Sequence, residues 1–300
     1  MSTHHHHHHS SGLNAALILT AIFAVVELVG GLISGSLALL ADAGHMFSDV
    51  AALGIASAAA YIARKPAHQG MTYGYGRAKI LAAQINGLTL CFLAGWIAWE
   101  AVGRIDSPPE VNGSIMFVIA LVGLAVNLVV LRWLHGGDEH ETGHHSDLNT
   151  RAAYWHVVGD ALGSVAALVG GIVILLTGWM LIDPILSFVV SAILAWGGWR
   201  LIRQTTFALM DAVPEELSLG EIKNSVCKVA GVENIHHIHV WRLPDGELAI
   251  SAHIDCKDIS GWADILPRLQ NCMEKEFHIT HATFQPEEGI CGSDHQGCHS

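Results

Sequence analysis

The sequence predicts an α-helical membrane protein with six spanning helices, followed by a C-terminal domain of mixed helices and strands. Three observations predict this fold class. Hydrophobic residues make up 51% of the chain and charged residues only 14%, against about 25% charged residues in soluble domains. The apolar residues are concentrated before about residue 204. Beyond that position short polar and apolar stretches alternate, as in a soluble domain.

Six apolar runs account for the predicted membrane domain, residues 13–204. Each run approaches or exceeds the roughly 20 residues that a helix needs to cross hydrocarbon. Six such runs would leave a soluble protein without polar helix faces, which argues against that class. The runs are 13–33, 37–63, 80–103, 111–134, 152–179 and 181–202. The preceding residues 1–12, with His4 to His9 and then Ser-Ser-Gly, are a purification tag and linker.

The predicted cytoplasmic domain, residues 205–288, has the element order αββαβ. Its pattern predicts helices at 214–229 and 261–277, and strands at 232–243, 247–256 and 280–286. A tail containing Cys and His follows at 289–300. After Arg203 there are 15 Asp and Glu against six Lys and Arg. This acidic balance disfavours nucleic acid as a partner and suits cations.

Basic residues in the short loops predict how the helices are oriented. Eight Lys and Arg lie on the side that carries both termini, and Arg104 is the only one on the other side. Since basic loops stay in the cytoplasm, both termini and the C-terminal domain are expected to be cytoplasmic. The eight residues are Arg64, Lys65, Arg77, Lys79, Arg132, Arg151, Arg200 and Arg203.

Two of the apolar runs each contain a histidine and an aspartate four residues apart. These pairs are His45 with Asp49 and His156 with Asp160. The i, i+4 spacing places both side chains of a pair on one helix face. Charged groups are costly inside a bilayer and usually carry function there. Facing each other, the two helices would offer two nitrogens and two oxygens, a tetrahedral set that zinc accepts.

Small residues near these pairs, such as Gly44, Ser48 and Gly163, are expected to let the two helices approach each other. A single polar residue in a span more often forms a hydrogen bond between helices, which is the role assigned to Asn86 and Asn127. Asp42, three residues before His45, is assigned to orienting a ligand or lining the path of the metal.

Several motifs together resemble the cation diffusion facilitator family, of the zinc-transporter type. They are "GSLALLADAGHMFSDV", "YGYGRAKILAAQIN", "RAAYWHVVGDALGSV", "DPILS" and "IHHIHVW". The resemblance implies a homodimer whose cytoplasmic domains are metallochaperone-like and which exports divalent cations in exchange for protons. It places the transport site at His45, Asp49, His156 and Asp160, and favours zinc, with cadmium as another ion that such a site accepts.

The resemblance also implies further residues and a location. Tail metal ligation, structural or regulatory, maps onto His236, His253 and Glu287, with Cys291 and Cys298 as further ligands. A charged clasp maps onto Arg77 and Asp211. The protein is expected in the lipid bilayer of the cell's inner membrane, as a multi-pass protein.

A loop at 135–147 is rich in histidine and acidic residues. This composition is typical of weak, exchangeable capture of cations, and equally of a solvated connector. The candidate ligands are His135, His140, His144 and His145.

The sequence leaves other functions open. An exporter that prefers cadmium, cobalt, nickel or iron would have the same donor types. An intramembrane metalloenzyme would show HExxH or a comparable motif, which the sequence lacks. A membrane metal sensor would signal through its tail. The sequence therefore favours a zinc and proton antiporter, and not an enzyme.

Overall fold

The computed structural model describes residues 9–135, 146–244 and 246–288, with side chains described in 18–132, 157–244 and 246–288. The described residues form two compact units. The first is drawn from residues up to Ser57 together with Ala82–Ile202, and the second from Ala58–Leu81 together with residues from Arg203 onwards.

Among the described residues, six long helices correspond to the six predicted spans. Five of them are long and apolar enough to cross a membrane, while the apolar part of the first, Ile18–Ser34, is shorter. Many of their apolar side chains face outwards, among them Phe92, Trp99 and Trp196, as a lipid environment requires. The helices are α1 (His9–Ser34), α2 (Leu37–Ala63), α3 (Ala78–Asp106), α4 (Gly113–His135), α5 (Ser146–Thr177) and α6 (Ile182–Leu209).

Helix α2 lies at the centre of the packing in the first unit. Its Leu37 and Ala41 pack in one cluster with residues of α3 and α6. Its neighbouring residues Ala38 and Leu39 pack in another cluster with residues of α4 and α5. Met46 of α2 also packs against Phe23 and Ala24 of α1. Because protein surrounds this part of α2, its polar residues Asp42 and Ser48 are buried.

The described tail has the predicted αββαβ order, with a three-stranded sheet in the order β1-β2-β3. Strands β1 and β2 are antiparallel, and β2 and β3 are parallel. The elements are α7 (Leu219–Val226), β1 (Val232–Arg242), β2 (Leu248–Cys256), a 3₁₀ turn (Ile259–Gly261), α8 (Trp262–Phe277) and β3 (Ile279–Glu288). Apolar residues of both helices and all three strands form the core, including Ile222, Ile254, Leu269, Met273 and Phe284.

The first tail helix is shorter than the sequence predicts. The helix is predicted to begin at residue 214, whereas α7 begins at Leu219. The preceding residue, Ser218, has an extended backbone. Pro214 instead begins a turn. The carbonyl oxygen of Pro214 accepts a hydrogen bond from Leu217 N at 3.0 Å.

Candidate metal sites

The structure brings together three of the four residues predicted to form the membrane site. The Nε2 atom of His45 lies 3.5 Å from Oδ2 of Asp49, one turn further along α2. The same nitrogen lies 3.7 Å from Oδ1 of Asp160 on α5. Ligands of one tetrahedral zinc ion, each about 2.0–2.1 Å from the metal, lie roughly 3.3 Å apart. These separations are therefore close to those of donors that share an ion.

The fourth predicted ligand, His156, lies in α5, one turn before Asp160. Its side chain is outside the part of the chain whose side chains the structure describes. His156 therefore stays a predicted ligand.

Asp42 lies beside this site, on the same helix as His45. It is 9% exposed, and a methyl group at Gly163 of α5 would lie 3.5 Å from its Oδ1 atom. This is an ordinary van der Waals distance, so α5 contacts the buried carboxylate of α2 at a position that accepts a small residue but does not require glycine. A further carboxylate, Glu27 of α1, is fully buried in the same unit.

Gly44 has a different role from the predicted one. A methyl group there would lie 3.1 Å from Cδ1 of Leu93, so Gly44 faces α3 and not α5. The spacing of small residues indicates where a helix can be approached, but it does not show which neighbour approaches.

The prediction for Asn127 agrees with the structure, since its Nδ2 donates to Ser164 Oγ at 3.2 Å and so links α4 to α5.

Sequence reasoning missed Asp183, a fully buried aspartate at the start of α6. Its carboxylate accepts hydrogen bonds from Ser36 Oγ at 2.6 Å, Leu37 N at 2.8 Å and Ala38 N at 3.2 Å. These donors are the N-terminus of α2, whose unpaired N–H groups and positive dipole end favour a carboxylate. The "DPILS" motif marks the residue, but nothing in its spacing shows that it caps another helix.

Arg77 and Asp211, the predicted charged clasp, form an ion pair. Both side chains are partly exposed, and Asp211 has a left-handed backbone with φ of 54°. The structure therefore brings the two residues together, while their role as a clasp stays a prediction.

A second donor cluster lies on the tail sheet. Glu287 Oε1 of β3 lies 2.7 Å from Nδ1 of His253 of β2, and its Oε2 lies 3.2 Å from Nε2 of His236 of β1. The three predicted tail ligands that the structure describes are thus in contact. Within the described residues, two groups have donor atoms that all lie within 4.8 Å of one another: His236, His237 and His253, and His236, Asp255 and Glu287.

His237 and Asp255 in these groups were not predicted. Strict alternation along the strand places His237 on the face opposite His236. In the structure the imidazoles of His236 and His237 are in contact, with ring centroids 5.0 Å apart. A β-bulge after His236 interrupts the alternation of side chains. No local feature of the sequence predicts this bulge.

Two tail cysteines are unsuited to ligation. Burial raises the pKa of the Cys256 thiol, and burial also raises the pKa of the Cys272 thiol. Because metals bind the thiolate, a raised pKa keeps both groups as inert thiols.

Some predicted ligands lie outside the described residues. They are Cys291 and Cys298 of the tail, His140, His144 and His145 of the loop, and the side chain of His135.

Apolar helices with nitrogen and oxygen donors in their interior, joined to a small domain with a second donor cluster, define a class of protein: a membrane transporter of metal cations. Comparison with known families agrees with this class. The cation efflux transmembrane domain matches residues 13–210, and the cytoplasmic domain of cation efflux proteins matches residues 214–289.

Curated relatives match over almost the whole chain. The zinc transporter ZitB of Pectobacterium atrosepticum is 40% identical over 99% of this chain and 91% of its own. A protein of Bacillus subtilis named cadmium, cobalt and zinc/H(+)-K(+) antiporter is 37% identical over 88% of this chain and 85% of its own.

A solved structure, the metal-bound C-terminal domain of the CzcD transporter from Cupriavidus metallidurans, is 29% identical. It covers 24% of this chain and 99% of its own, with a TM-score of 0.23.

The chain belongs to the cation diffusion facilitator family, in its zinc-transporter group. It is therefore a multi-pass membrane protein for metal cation efflux, with a tail of the family's dimerisation type, and not an enzyme.

Proposed function

We propose that the protein exports zinc from the cytoplasm in exchange for protons, and that each ion passes through a site formed by His45, Asp49, His156 and Asp160. The observation that carries the proposal is the position of His45 Nε2, within 3.7 Å of carboxylates from two different helices. Such a cluster binds an ion only while α2 and α5 stay together. A movement of one helix against the other would therefore release the ion.

The donor types favour zinc. Imidazole nitrogen and carboxylate oxygen suit zinc well, whereas sites for manganese or magnesium are built mainly from oxygen. The names of the two relatives, a zinc transporter and an antiporter for cadmium, cobalt and zinc, support the same group of ions. Cadmium is the first alternative substrate, because the same four donors accommodate it.

Exchange with protons follows from the chemistry of the ligands. An imidazole binds zinc only in its neutral form, and the carboxylates must be ionised. Zinc and protons therefore compete for the same atoms of His45, Asp49 and Asp160. Protons entering from the more acidic outer side would expel zinc, and the more alkaline cytoplasm would allow it to bind again.

The proposed setting is a homodimer in the inner membrane, with both termini in the cytoplasm. The excess of basic residues on one side of the helices supports this orientation. The tail cluster around His236, His253 and Glu287 would then bind a structural or regulatory zinc ion from the cytoplasm. The match of the tail to the family's cytoplasmic domain supports the homodimer.

The test is zinc flux in liposomes that contain the purified protein and carry an imposed pH gradient. We expect zinc to accumulate on the acidic side of the membrane, against its own gradient, while protons move from that side to the other. If the rate of zinc transport did not depend on the pH gradient, the proposed exchange of zinc for protons would be wrong. Movement of cadmium but not zinc would change the substrate and leave the mechanism intact.

A further inference from the structure

The pairing of β1 with β2 contains an extra residue at the tail cluster. His236 lies opposite His253 and His239 lies opposite Ser251, so β1 advances three residues while β2 advances two. His237 takes up the difference with a left-handed backbone, φ 50°. Residues other than glycine rarely adopt this conformation, and a bulge that re-aims a side chain is common beside functional sites.

The bulge brings a third imidazole to the face that already carries two. His237 Nδ1 lies 3.0 Å from His236 Nδ1, and the ring centroids of His237 and His253 are 5.0 Å apart. The ring centroids of His236 and His253 are 5.3 Å apart. Two nitrogens bound to one tetrahedral zinc ion would be separated by roughly 3.3 Å. The Nδ1 atoms of His236 and His237 have a similar separation, and donor nitrogens of all three histidines lie within 4.8 Å of one another.

Carboxylates contact the other nitrogens of two of these rings. Oδ1 of Asp255, which is 1% exposed, lies 3.3 Å from His236 Nε2. Glu287 contacts His253 at Nδ1 and His236 at Nε2. A histidine that binds metal through one nitrogen usually donates its other N–H to a carboxylate. The nitrogens that these carboxylates do not contact are His236 Nδ1, which instead contacts His237 Nδ1, and His253 Nε2.

We propose that His237 is a metal ligand, and that His236, His237 and His253 form a three-imidazole site for zinc on the tail sheet. Asp255 and Glu287 then position the rings instead of binding the ion. Water takes the fourth position. The competing arrangement binds the ion through His236 Nε2, Asp255 and Glu287, and does not use His237.

This inference rests on the proposed tail site and not on the proposed transport of zinc. It can therefore be wrong while the proposed transport function is right. The test uses the full chain made without His4–His9, because the tag itself binds metal. Asp49→Ala and Asp160→Ala are added to remove the membrane site. One equivalent of zinc is supplied, and its affinity is measured by competition with a chelator.

The decisive variant is His237→Asn, since asparagine tolerates a left-handed backbone and lacks the imidazole. Its matched control is His239→Asn, an exposed histidine two residues further along the same strand. Loss of a residue that only orients a ligand typically weakens metal binding 10–100-fold, so loss of the ligand itself should cost at least about 100-fold. His239→Asn should leave the affinity unchanged.

X-ray absorption at the zinc edge, on the same chain without the tag and the membrane site, gives a second measurement that needs no change in the tail. Three imidazoles around the ion support the proposal, and one imidazole with two carboxylates overturns it. Equal zinc affinity in His237→Asn and the unsubstituted tail would also overturn it, and would assign the ion to His236, Asp255 and Glu287. A chain whose tail bound no zinc at all would refute the proposed tail site as well.

Discussion

The Nε2 atom of His45 on α2 lies 3.7 Å from Oδ1 of Asp160 on α5. The two residues belong to different helices, so their proximity depends on the packing of the membrane unit and not on local spacing. This distance is slightly too long for a hydrogen bond, but close to the separation of two ligands of one ion. The relationship makes Asp160 the residue whose replacement tests the membrane site most directly.

Asp160→Asn should lower zinc flux at least tenfold, because it removes an anionic ligand while preserving size. Loss of a residue that only orients a ligand already costs about 10–100-fold in metal affinity. Flux is measured in liposomes under a fixed pH gradient. Asp106→Asn, at the exposed end of α3, is the control and should transport normally. Equal flux in both variants would show that Asp160 is not a ligand.

Asp183→Ala should destabilise the membrane unit by about 2–4 kcal/mol. Each hydrogen bond to a charged group contributes about 1.5–3 kcal/mol, and the change leaves buried N–H groups at Leu37 and Ala38 without an acceptor. Ser36→Ala should cost less, about 1–2 kcal/mol, because the carboxylate keeps both N–H donors. Thermal unfolding of the purified protein, followed by tryptophan fluorescence, measures both. The opposite ranking would contradict the capping role of Asp183.

The contact between His45 and Asp49 could be predicted because the spacing of two residues on one helix is local information. His45 and Asp49 are one turn apart in any helix, whatever surrounds them. Asp183 could not be predicted as the cap of α2, because it lies 146 positions from Leu37 and the contact exists only after folding. The left-handed backbone of His237 also depends on pairing with β2, so alternation alone placed this residue on the wrong face.

Gly198 and Gly197 are neighbours on α6, and their replacement by alanine should have different effects on stability. A methyl group at Gly198 would lie 2.8 Å from Cys91 Sγ and 2.9 Å from the carbonyl oxygen of Gly87, so α3 and α6 would have to separate. At Gly197 nothing lies within 4 Å. Gly198→Ala should therefore cost about 1–3 kcal/mol, the usual range for overpacking, and Gly197→Ala should be neutral. Melting temperatures compare them, and equal values would mean that this close approach is not required.

Arg77 and Asp211 should show weak coupling in a double-mutant cycle. Both side chains are partly exposed, so solvent limits the pair to about 0.2–1 kcal/mol. The cycle uses Arg77→Gln with Asp211→Asn, since asparagine tolerates the left-handed backbone at position 211. Arg64→Gln, an exposed arginine of the same loop, is the control and should not couple to Asp211. A functional clasp also requires that either single change slow zinc flux more than the control does.

His45→Asp should broaden the ions accepted at the membrane site. Replacing an imidazole by a carboxylate leaves a set richer in oxygen, which discriminates less in favour of zinc and suits larger ions with more ligands. We expect the ratio of cadmium flux to zinc flux to rise several-fold, measured with both metals in the same liposome preparation. His68→Asp provides the control, because this exposed histidine belongs to the loop between α2 and α3. If His45→Asp and His68→Asp gave the same ratio as the unsubstituted protein, the imidazole of His45 would not be the selectivity filter, and selection would rest on the remaining ligands.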